Sequence, residues 1–305
     1  MLSLHKLEVF ITVVEAGSFS AAAERLYLTQ SAVSQHMHDL ESSLGVRLFE
    51  RGPRGVRLTP AGETLRDYTR SILGLLAEAE NAVADVSGMT SGQMRVGATP
   101  GVSGYLLPGW IQAFRARYPR LLVSLTTGVT DEVAAGLLSR ALDIGLIEGE
   151  LMAHPAVRLL ELEAVRQWVV VGRGHPWYGR AEIYAAELNG QALIMRPSQS
   201  QSRLWLNRIL AERDVAPVVA AELDSVEAIK QAVIAGMGIA VLPEYIVNRE
   251  REQGLLSLLA VSDAPFERSL KLAWDQGRPF SPVTRAFLTL LAERFPALSS
   301  LTPSR

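Results

Sequence analysis

The chain has 305 residues, of which 48% are hydrophobic and 20% charged, a composition typical of globular proteins with a buried core. It contains no cysteine, which excludes disulfide bonds and thiolate metal sites. The net charge of −2 gives no overall bias toward nucleic acid, and no apolar run approaches the roughly 18 residues of a membrane span. Glu8 interrupts the apolar N-terminus, where no cleavage-like site follows, so we expect a cytoplasmic protein of two or three domains without membrane association.

Three short helices are predicted in the first region, which ends near Leu58. The first helix has apolar residues at helical spacing: Leu4, Leu7, Phe10, Ile11 and Val14. A second helix begins at about Ser18 or Ser20 and ends near Tyr27. After the short connection "LTQ", Thr29 is a suitable N-cap for a third helix.

The two faces of the third helix differ in chemistry. One face carries an apolar stripe: Val33, Met37, Leu40 and Leu44. The roughly opposite face carries short polar groups: Ser31, Ser34, Gln35 and His38. Hydroxyl, amide and imidazole groups at a helix N-terminus suit base edges and phosphates in a major groove. A solvated helix face is the alternative, and a serine-rich face alone favours it.

A basic segment follows, because "RLFERGPRGVR" between Arg47 and Arg57 holds four arginines and one acid, Glu50. On charge alone a solvated loop is the better interpretation. Two helices joined by a short turn and followed by an arginine-rich hairpin favour a winged helix-turn-helix, in which such a patch contacts phosphates.

The second region is predicted to be one long helix. Thr59 can act as N-cap, Pro60 fits the first helical position, and the helix ends near Gly88. Apolar residues repeat with a heptad spacing: Leu65, Thr69, Ile72, Leu76, Ala79, Val83 and Val86. This pattern is typical of a coiled-coil seam and indicates self-association, the alternative being a helix buried against its own domain.

The third region alternates strand and helix patterns, as in α/β proteins with largely parallel sheets. The predicted strands are "MRVGAT", "LLVSLTTG", "LDIGLIEG", "QWVVVGR", "ALIMR", "VVAAEL", "GIAVLP" and "LKLAWDQ". Ligands of such sheets usually bind at the carboxyl ends of strands. Thr99, Thr127, Gly128 and the segment "RPSQSQSR" lie at those ends and are therefore candidate ligand groups.

The N-terminal region resembles that of the LysR-type transcriptional regulators. The matching segments are "LEVFITVVEAGSFSAAAERLYLTQSAVSQHMHDLESSLGVRLFER" and "VRLTPAGETL", and weaker matches continue in "LLPGWIQAFRARYP", "ALDIGLIEGE" and "VIAGMGIAVLPE". The resemblance implies a winged helix-turn-helix (1–58), a linker helix (59–89) and a two-lobed α/β effector domain (90–305) like type 2 periplasmic binding proteins. The lobes would comprise about 93–162 with 269–305, and 163–268. It also implies a double-stranded DNA operator and a homodimer through the linker helix, commonly assembled into a homotetramer.

The resemblance assigns roles to individual residues. The DNA-binding set, with His38 added from the polar helix face, is Gln30, Ser31, Ser34, Gln35, His38, Arg51 and Arg54. Many members have proline in place of Ser31 and arginine in place of Gln35, so we expect a different base preference. Glutamine pairs well with adenine N6 and N7.

The segment "LIMRPSQSQSR" looks like the anion-binding loop "REPGSGTR" of regulators of carbon fixation and of sulfur or nitrogen assimilation. Gln199 and Gln201 replace its two glycines, which weakens a backbone amide nest for an anion. The alternative is a capped helix with a surface arginine. We expect a small acid or phosphate between the lobes, at Thr99, Pro100, Gly101, Ser103, Thr127, Gly128, Ser198, Ser200, Ser202 and Arg203.

Two other classes of protein remain as alternatives, an α/β enzyme and a free small-molecule-binding protein. The five histidines show no metal-binding spacing, and no Walker A or G-x-S-x-G motif is present. We therefore predict no catalytic residue, no metal and no cofactor. A free binding protein would explain the third region but not the first two.

Overall fold

The computed structural model describes residues 2–52, 55–86, 92–151, 154–264 and 266–301. Three helices form the N-terminal domain: α1 (Leu4–Ala16), α2 (Phe19–Leu26) and α3 (Gln30–Leu44). Each begins at a hydroxyl N-cap, and the Thr29 hydroxyl accepts the Ala32 amide at 3.2 Å. Apolar residues of the three helices, with Leu48 after α3, form one small core: Val9, Phe10, Val13, Ala22, Ala23, Val33, Met37, Leu40 and Leu48.

A two-stranded antiparallel wing follows, with β1 (Phe49–Gly52) paired to β2 (Gly55–Leu58). Glu41 ties α3 to the start of the wing, because its Oε1 accepts the amides of Leu48 at 2.7 Å and Phe49 at 3.3 Å. The winged helix-turn-helix is therefore confirmed. Of the two predicted wing arginines, Arg54 lies outside the described residues, and Arg51 is described only by its backbone in β1.

The long helix α4 (Pro60–Val86) has 27 residues. The remaining elements follow in chain order: β3 (Gln93–Ala98), α5 (Leu107–Arg117), β4 (Leu122–Thr127), α6 (Thr130–Leu138), β5 (Ile144–Glu148), β6 (Val157–Gly172), β7 (Glu182–Ile183), β8 (Ala192–Met195), α7 (Gln201–Ala211), β9 (Val218–Glu222), α8 (Val226–Ile234), β10 (Ala240–Pro243), α9 (Glu244–Glu252), β11 (Leu256–Val261), β12 (Glu267–Asp275) and α10 (Pro282–Ala292). A π-helical turn, Val102–Leu106, precedes α5. No helix within the described ranges is long and apolar enough to cross a bilayer.

An eight-stranded sheet with the order β4-β3-β5-β12-β6-β11-β7, in which β10 also pairs with β6, connects two lobes. β3 lies parallel to β4 and β5, whereas β12 is antiparallel to β5 and β6. The 16-residue strand β6 pairs with β12 through its first part and with β10 and β11 through its last part. β6 and β12 are thus the strands on which the lobes meet.

Each lobe has its own core, which confirms the two-lobed α/β prediction. Phe114 of α5, Phe287 of α10 and Leu146 of β5 are fully buried in the first lobe. Two apolar clusters fill the second lobe, one around Leu193 and Leu259 and one around Val170 and Val233. Burial of this kind contributes roughly 25 cal/mol per Å² of apolar surface, which makes each lobe a stable support for the cleft between them.

The two faces of α4 have different surroundings. Thr69 is fully buried, and a Cβ on Gly74 would lie 2.4 Å from the carbonyl oxygen of Arg140 in the effector domain. The exposed apolar stripe is instead formed by Tyr68, Ile72 and Leu75, with exposed fractions of 67%, 38% and 54%. The predicted seam was therefore wrong at Thr69, because the rest of the chain already buries that side chain.

Candidate DNA-reading helix and effector cleft

The polar face of α3 is presented to solvent. Gln30, Ser31, Gln35 and His38 are exposed and Ser34 is half-buried, while Val33, Met37 and Leu40 on the other face are buried. The Ser31 and Thr29 hydroxyls lie 3.0 Å apart at the helix start. This placement leaves the polar groups free to approach a nucleic acid, and their contact with DNA stays a prediction.

Within the described chain, a cavity of about 130 Å³ lies where the two lobes face each other. Six of the predicted effector residues line it: Thr99, Pro100, Gly101, Ser200, Ser202 and Arg203. The first three come from the turn after β3 in the first lobe, and the others from the start of α7 in the second. The topology thus brings together two segments about 100 residues apart in the chain.

Four predicted effector residues do not line this cavity: Ser103, Thr127, Gly128 and Ser198. Ser103 is buried in the π-helical turn, where its hydroxyl lies 2.5 Å from that of Thr127. Gly128 packs against the side chain of Glu132, and Ser198 is exposed. The hydroxyls of Ser103 and Thr127 join β4 to the turn after β3 and do not face the cleft.

Hydroxyl groups occur on both walls of the cavity. The Thr99 hydroxyl accepts the Glu148 amide at 3.1 Å and keeps its own proton available for donation. Ser200 is the N-cap of α7, where its oxygen accepts the Arg203 amide at 3.3 Å and lies 3.4 Å from the Ser202 hydroxyl. The α7 start therefore combines a helix N-terminus with hydroxyls, a combination that favours a negatively charged group.

Three arginines line the same cavity, and sequence analysis identified only Arg203. Arg203 is buried, donating from Nε to Asn207 Oδ1 at 2.9 Å and from Nη1 to the carbonyl oxygen of Arg196 at 3.2 Å. Glu222 Oε1 lies 3.5 Å from its Nη1. These contacts fix the guanidinium group in the cleft wall, so the alternative of a surface arginine was wrong.

The other two arginines carry nitrogen atoms without hydrogen-bond partners. Arg196 Nη1 and Arg268 Nε are buried and unpaired among the described residues. Burial lowers the pKa of Arg196, and the neighbouring Asp224 opposes that shift. The side chain of Arg268 is 9% exposed and donates from Nη1 to Glu148 Oε1 and from Nη2 to the Glu148 carbonyl oxygen, both at 2.7 Å.

Glu148 lies at the centre of a buried network between the lobes. Its carboxylate accepts from Arg268, from Gln167 Nε2 at 3.0 Å, and from the hydroxyl of Tyr245 on α9. Burial and the nearby Glu148 carboxylate raise the pKa of Tyr245 well above its usual value, so this hydroxyl stays a donor. Tyr245 therefore connects the second lobe to the end of β5 in the first.

Sequence analysis missed Glu148, Tyr245, Arg196 and Arg268. Tyr245 is 97 positions from Glu148, and Arg268 is 120 positions from it. The available signal was a carboxylate directly after the fully buried strand segment "IGLI", where an ionised group requires a partner.

A second contact between the lobes joins the π-helical turn to α8. The Tyr105 hydroxyl donates to Glu227 Oε2 at 3.1 Å, and Lys230 Nζ lies 2.9 Å from the same oxygen. Lys230 is buried and donates to Glu250 Oε1 at 2.8 Å, and its Nζ is 4.9 Å from the centre of the Tyr105 ring. The hydrogen bond from Lys230 lowers the pKa of Glu227, so the carboxylate is ionised at neutral pH.

The described residues contain no cluster of histidine, aspartate or glutamate side chains that could hold a metal ion. Three guanidinium groups and the carboxylates of Asp131 and Glu148 line the cleft.

Comparisons with known proteins give matches to both the N-terminal domain and the effector domain. A family model described as the LysR substrate binding domain matches residues 87–296, and one described as a bacterial regulatory helix-turn-helix protein of the lysR family matches residues 4–63. The transcriptional activator CmpR of Synechocystis sp. is 31% identical over 297 residues, which cover 97% of each chain. The transcriptional regulator CbbR of Rhodospirillum rubrum is 32% identical, covering 94% of this chain and 95% of its own.

The solved structure of full-length CbnR complexed with its target DNA has the same fold, with a TM-score of 0.73 at 22% identity. The match covers 96% of this chain and 99% of CbnR. The relatives and both family models describe transcriptional regulators and not enzymes. The chain therefore belongs to the LysR family of transcriptional regulators, oligomeric proteins that bind DNA through the helix-turn-helix and a small-molecule effector in the substrate-binding domain.

Proposed function

We propose that the effector of this regulator is a small anionic metabolite, a carboxylate or phosphate, held in the cleft between the lobes. The observation that carries this proposal is that three arginines line one cavity, and that Arg196 Nη1 and Arg268 Nε are buried without a hydrogen-bond partner among the described residues. A buried donor without a partner is costly, so an anion that accepts hydrogen bonds from these guanidinium groups binds with a favourable contribution.

The hydroxyl-bearing α7 start supplies orientation. Ser200 and Ser202 donate or accept as the ligand requires, and the amide groups of the first turn of α7 face a bound anion. Gln199 and Gln201, which stand where related loops have glycine, also line the cavity. Their side-chain amides replace the backbone nest and add donors that recognise ligand oxygens.

Binding of the anion is proposed to shift the balance between open and closed lobes. Thr99 and Gly101 lie on one lobe and Ser200 and Arg203 on the other, so a ligand that contacts both favours the closed form. The effect reaches the DNA through α4, whose inner face contacts the effector domain at Arg140. A ligand that bound both forms equally would leave DNA binding unchanged.

The test uses the full chain. Native mass spectrometry of the purified protein identifies a co-purified small molecule, and titration calorimetry with phosphate esters and carboxylates measures its affinity. We expect Arg203→Ala to weaken binding of the active acid at least tenfold while leaving ligand-free operator binding unchanged, and Arg208→Ala, an exposed arginine on the same helix, to leave both unchanged. An uncharged ligand, or unaltered affinity in Arg203→Ala, would contradict the proposal.

For the N-terminal domain we propose that Gln30, Ser31, Ser34, Gln35 and His38 contact bases and phosphates, and that Arg51 and Arg54 contact phosphates. CbnR, which has this fold, was solved with its target DNA. A gel shift with the DNA upstream of the chain's own gene tests the assignment. Arg54→Ala should weaken cognate and random DNA equally and reduce the salt dependence, because it removes a phosphate contact.

The proposed organisation is a DNA-binding domain at 1–58, a linker helix at 59–89 and an effector domain at 90–305, with lobes at about 93–162 plus 269–305 and at 163–268.

Self-association through the exposed stripe of α4 is proposed to give a homodimer, and two such dimers are proposed to form a homotetramer. A regulator that acts on chromosomal DNA works where that DNA lies, so we place the protein in the cytoplasm.

A further inference from the structure

We propose that Asp39 is a positioning residue that fixes the side-chain amide of Gln35 in the orientation that reads adenine. The inference rests on the proposed contact of α3 with DNA. It concerns a residue of α3 that no part of the sequence analysis assigned to recognition.

Gln35 and Asp39 are one turn apart on α3. Gln35 Nε2 donates to Asp39 Oδ1 at 2.8 Å. Because an ionised carboxylate only accepts hydrogen bonds, the amide nitrogen must be the atom that faces Asp39. Lys6 Nζ on α1 lies 3.9 Å from the other carboxylate oxygen and orients Asp39 in turn. The carbonyl oxygen of Gln35 is therefore directed away from Asp39.

This orientation selects a base. After one N–H of Gln35 is given to Asp39, the side chain still offers its second N–H beside the carbonyl oxygen, a donor next to an acceptor. Adenine presents the complementary pair in the major groove, its N6 donor and N7 acceptor. Guanine presents two acceptors and thymine one, so neither satisfies both groups. A freely rotating amide could turn its amino group to guanine or thymine and would discriminate less.

The charge of Asp39 provides a way to separate positioning from other effects. A carboxylate on the DNA-facing helix repels phosphates, so its removal should strengthen binding to any DNA. Loss of positioning should at the same time weaken base preference. A residue that only stabilises the helix would lower affinity and leave preference unchanged, so the two roles predict opposite results.

The experiment selects bound duplexes from a random-sequence DNA library with the full-length protein and sequences them. The variants are Gln35→Ala, Asp39→Ala and the double variant. Glu24→Ala is a matched control, because Glu24 is an exposed acid on α2 of the same domain. Binding of a random duplex at several salt concentrations gives the sequence-independent affinity.

We expect the position that loses its preference in Gln35→Ala to be an A·T base pair in the wild type. Asp39→Ala should reduce that preference by roughly fivefold or more at this position alone, and raise the affinity for the random duplex. In the Gln35→Ala background the same substitution should change affinity without a further change in preference.

The proposal is overturned if Asp39→Ala leaves preference at the Gln35-dependent position unchanged, or if it alters preference at every position and not at that one alone. It is also overturned if that position is a G·C base pair, because only an A·T pair presents adenine on one of its two strands. If Gln35→Ala changes base preference at no position, the inference is overturned. That result would not contradict DNA binding by the domain. A wild type without sequence preference would instead overturn the DNA contacts on which the inference rests.

Discussion

The polar face of α3 and the cleft between the lobes use similar side chains in different surroundings. On α3 the hydroxyl and amide groups are exposed, and most of their hydrogen-bonding capacity is left for a partner. In the cleft, Arg203, Arg268 and Glu148 are buried and already bonded to one another or to neighbouring residues. A residue on the polar face of α3 can therefore change without cost to the fold, whereas a buried cleft residue contributes to stability as well as to the proposed binding.

Because of this difference, the two sites would gain specificity in different ways. In the proposed DNA complex the exposed groups of α3 lose water only when DNA arrives, so each proposed base contact is a net exchange of hydrogen bonds worth a few kcal/mol at most. The cleft groups are held in place before the ligand binds, which reduces the entropy lost on binding. In return, an effector must compete with internal partners such as Glu148.

Glu148→Ala is the sharpest way to test this comparison. It leaves Arg268 buried with its main counter-charge removed and leaves the Tyr245 hydroxyl without its acceptor. Breaking a buried pair in this way costs about 3–5 kcal/mol. We expect urea unfolding of the effector domain to show a loss of that size.

The matched control for that substitution is Glu150→Ala. Glu150 also pairs with a basic residue of β12, Lys271, at 3.0 Å, but the Glu150 side chain is 65% exposed. An exposed pair contributes about 0–1 kcal/mol. Equal losses in the two variants would show that burial of the Glu148 network is not what stabilises the cleft.

Leu75→Glu tests the exposed and buried faces of α4 against each other. Leu75 lies on the exposed stripe with Tyr68 and Ile72, so two copies of the new carboxylate would meet in the proposed seam. Like charges placed together at an interface cost several kcal/mol. Sedimentation should show a smaller assembly. The free energy of unfolding of the fold should change little.

The same substitution at the neighbouring, half-buried Leu76 should act differently. Part of Leu76 lies against the rest of the chain, so a charge there lowers the stability of the fold itself. If Leu75→Glu preserved the assembly mass, the dimer contact would have to lie on another surface.

Ser34→Ala should alter DNA recognition without altering stability. Ser34 is half-buried on the polar face of α3, and surface substitutions of this kind change the free energy of unfolding by about 0.5 kcal/mol or less. Affinity for the cognate site should fall by roughly 1–3 kcal/mol and affinity for random DNA by less, as measured by fluorescence anisotropy. Ser42→Ala, at the exposed far end of the same helix, is the control and should change neither.

Sequence reasoning succeeded where function depends on local pattern. Periodicity and turn chemistry predicted the N-cap Thr29, the start of α2 near Ser18, the apolar stripe of α3 and eight strand segments, and all are present. It failed where strands of opposite lobes meet. β11 and the full length of β6 were not predicted, and the partners of Glu148 are distant in sequence. Periodicity reports which face of an element is buried, but not which other element covers it.

The smallest expected effect is that of Tyr105→Phe, which removes only the hydroxyl that joins the π-helical turn to Glu227. The Glu227 side chain is 57% exposed and keeps its contact with Lys230, so the loss should be about 1 kcal/mol or less. Because this hydroxyl bridges the lobes, the loss should appear as faster amide exchange at the π-helical turn and in α8 and not in the core of either lobe. Tyr118→Phe is the control, since Tyr118 packs within the first lobe. Equal exchange in Tyr105→Phe and wild type would mean that Tyr245 and the crossing strands alone hold the lobes together. The polar contact at Glu227 would then contribute as little to the stability of the fold as the solvent-exposed groups of α3.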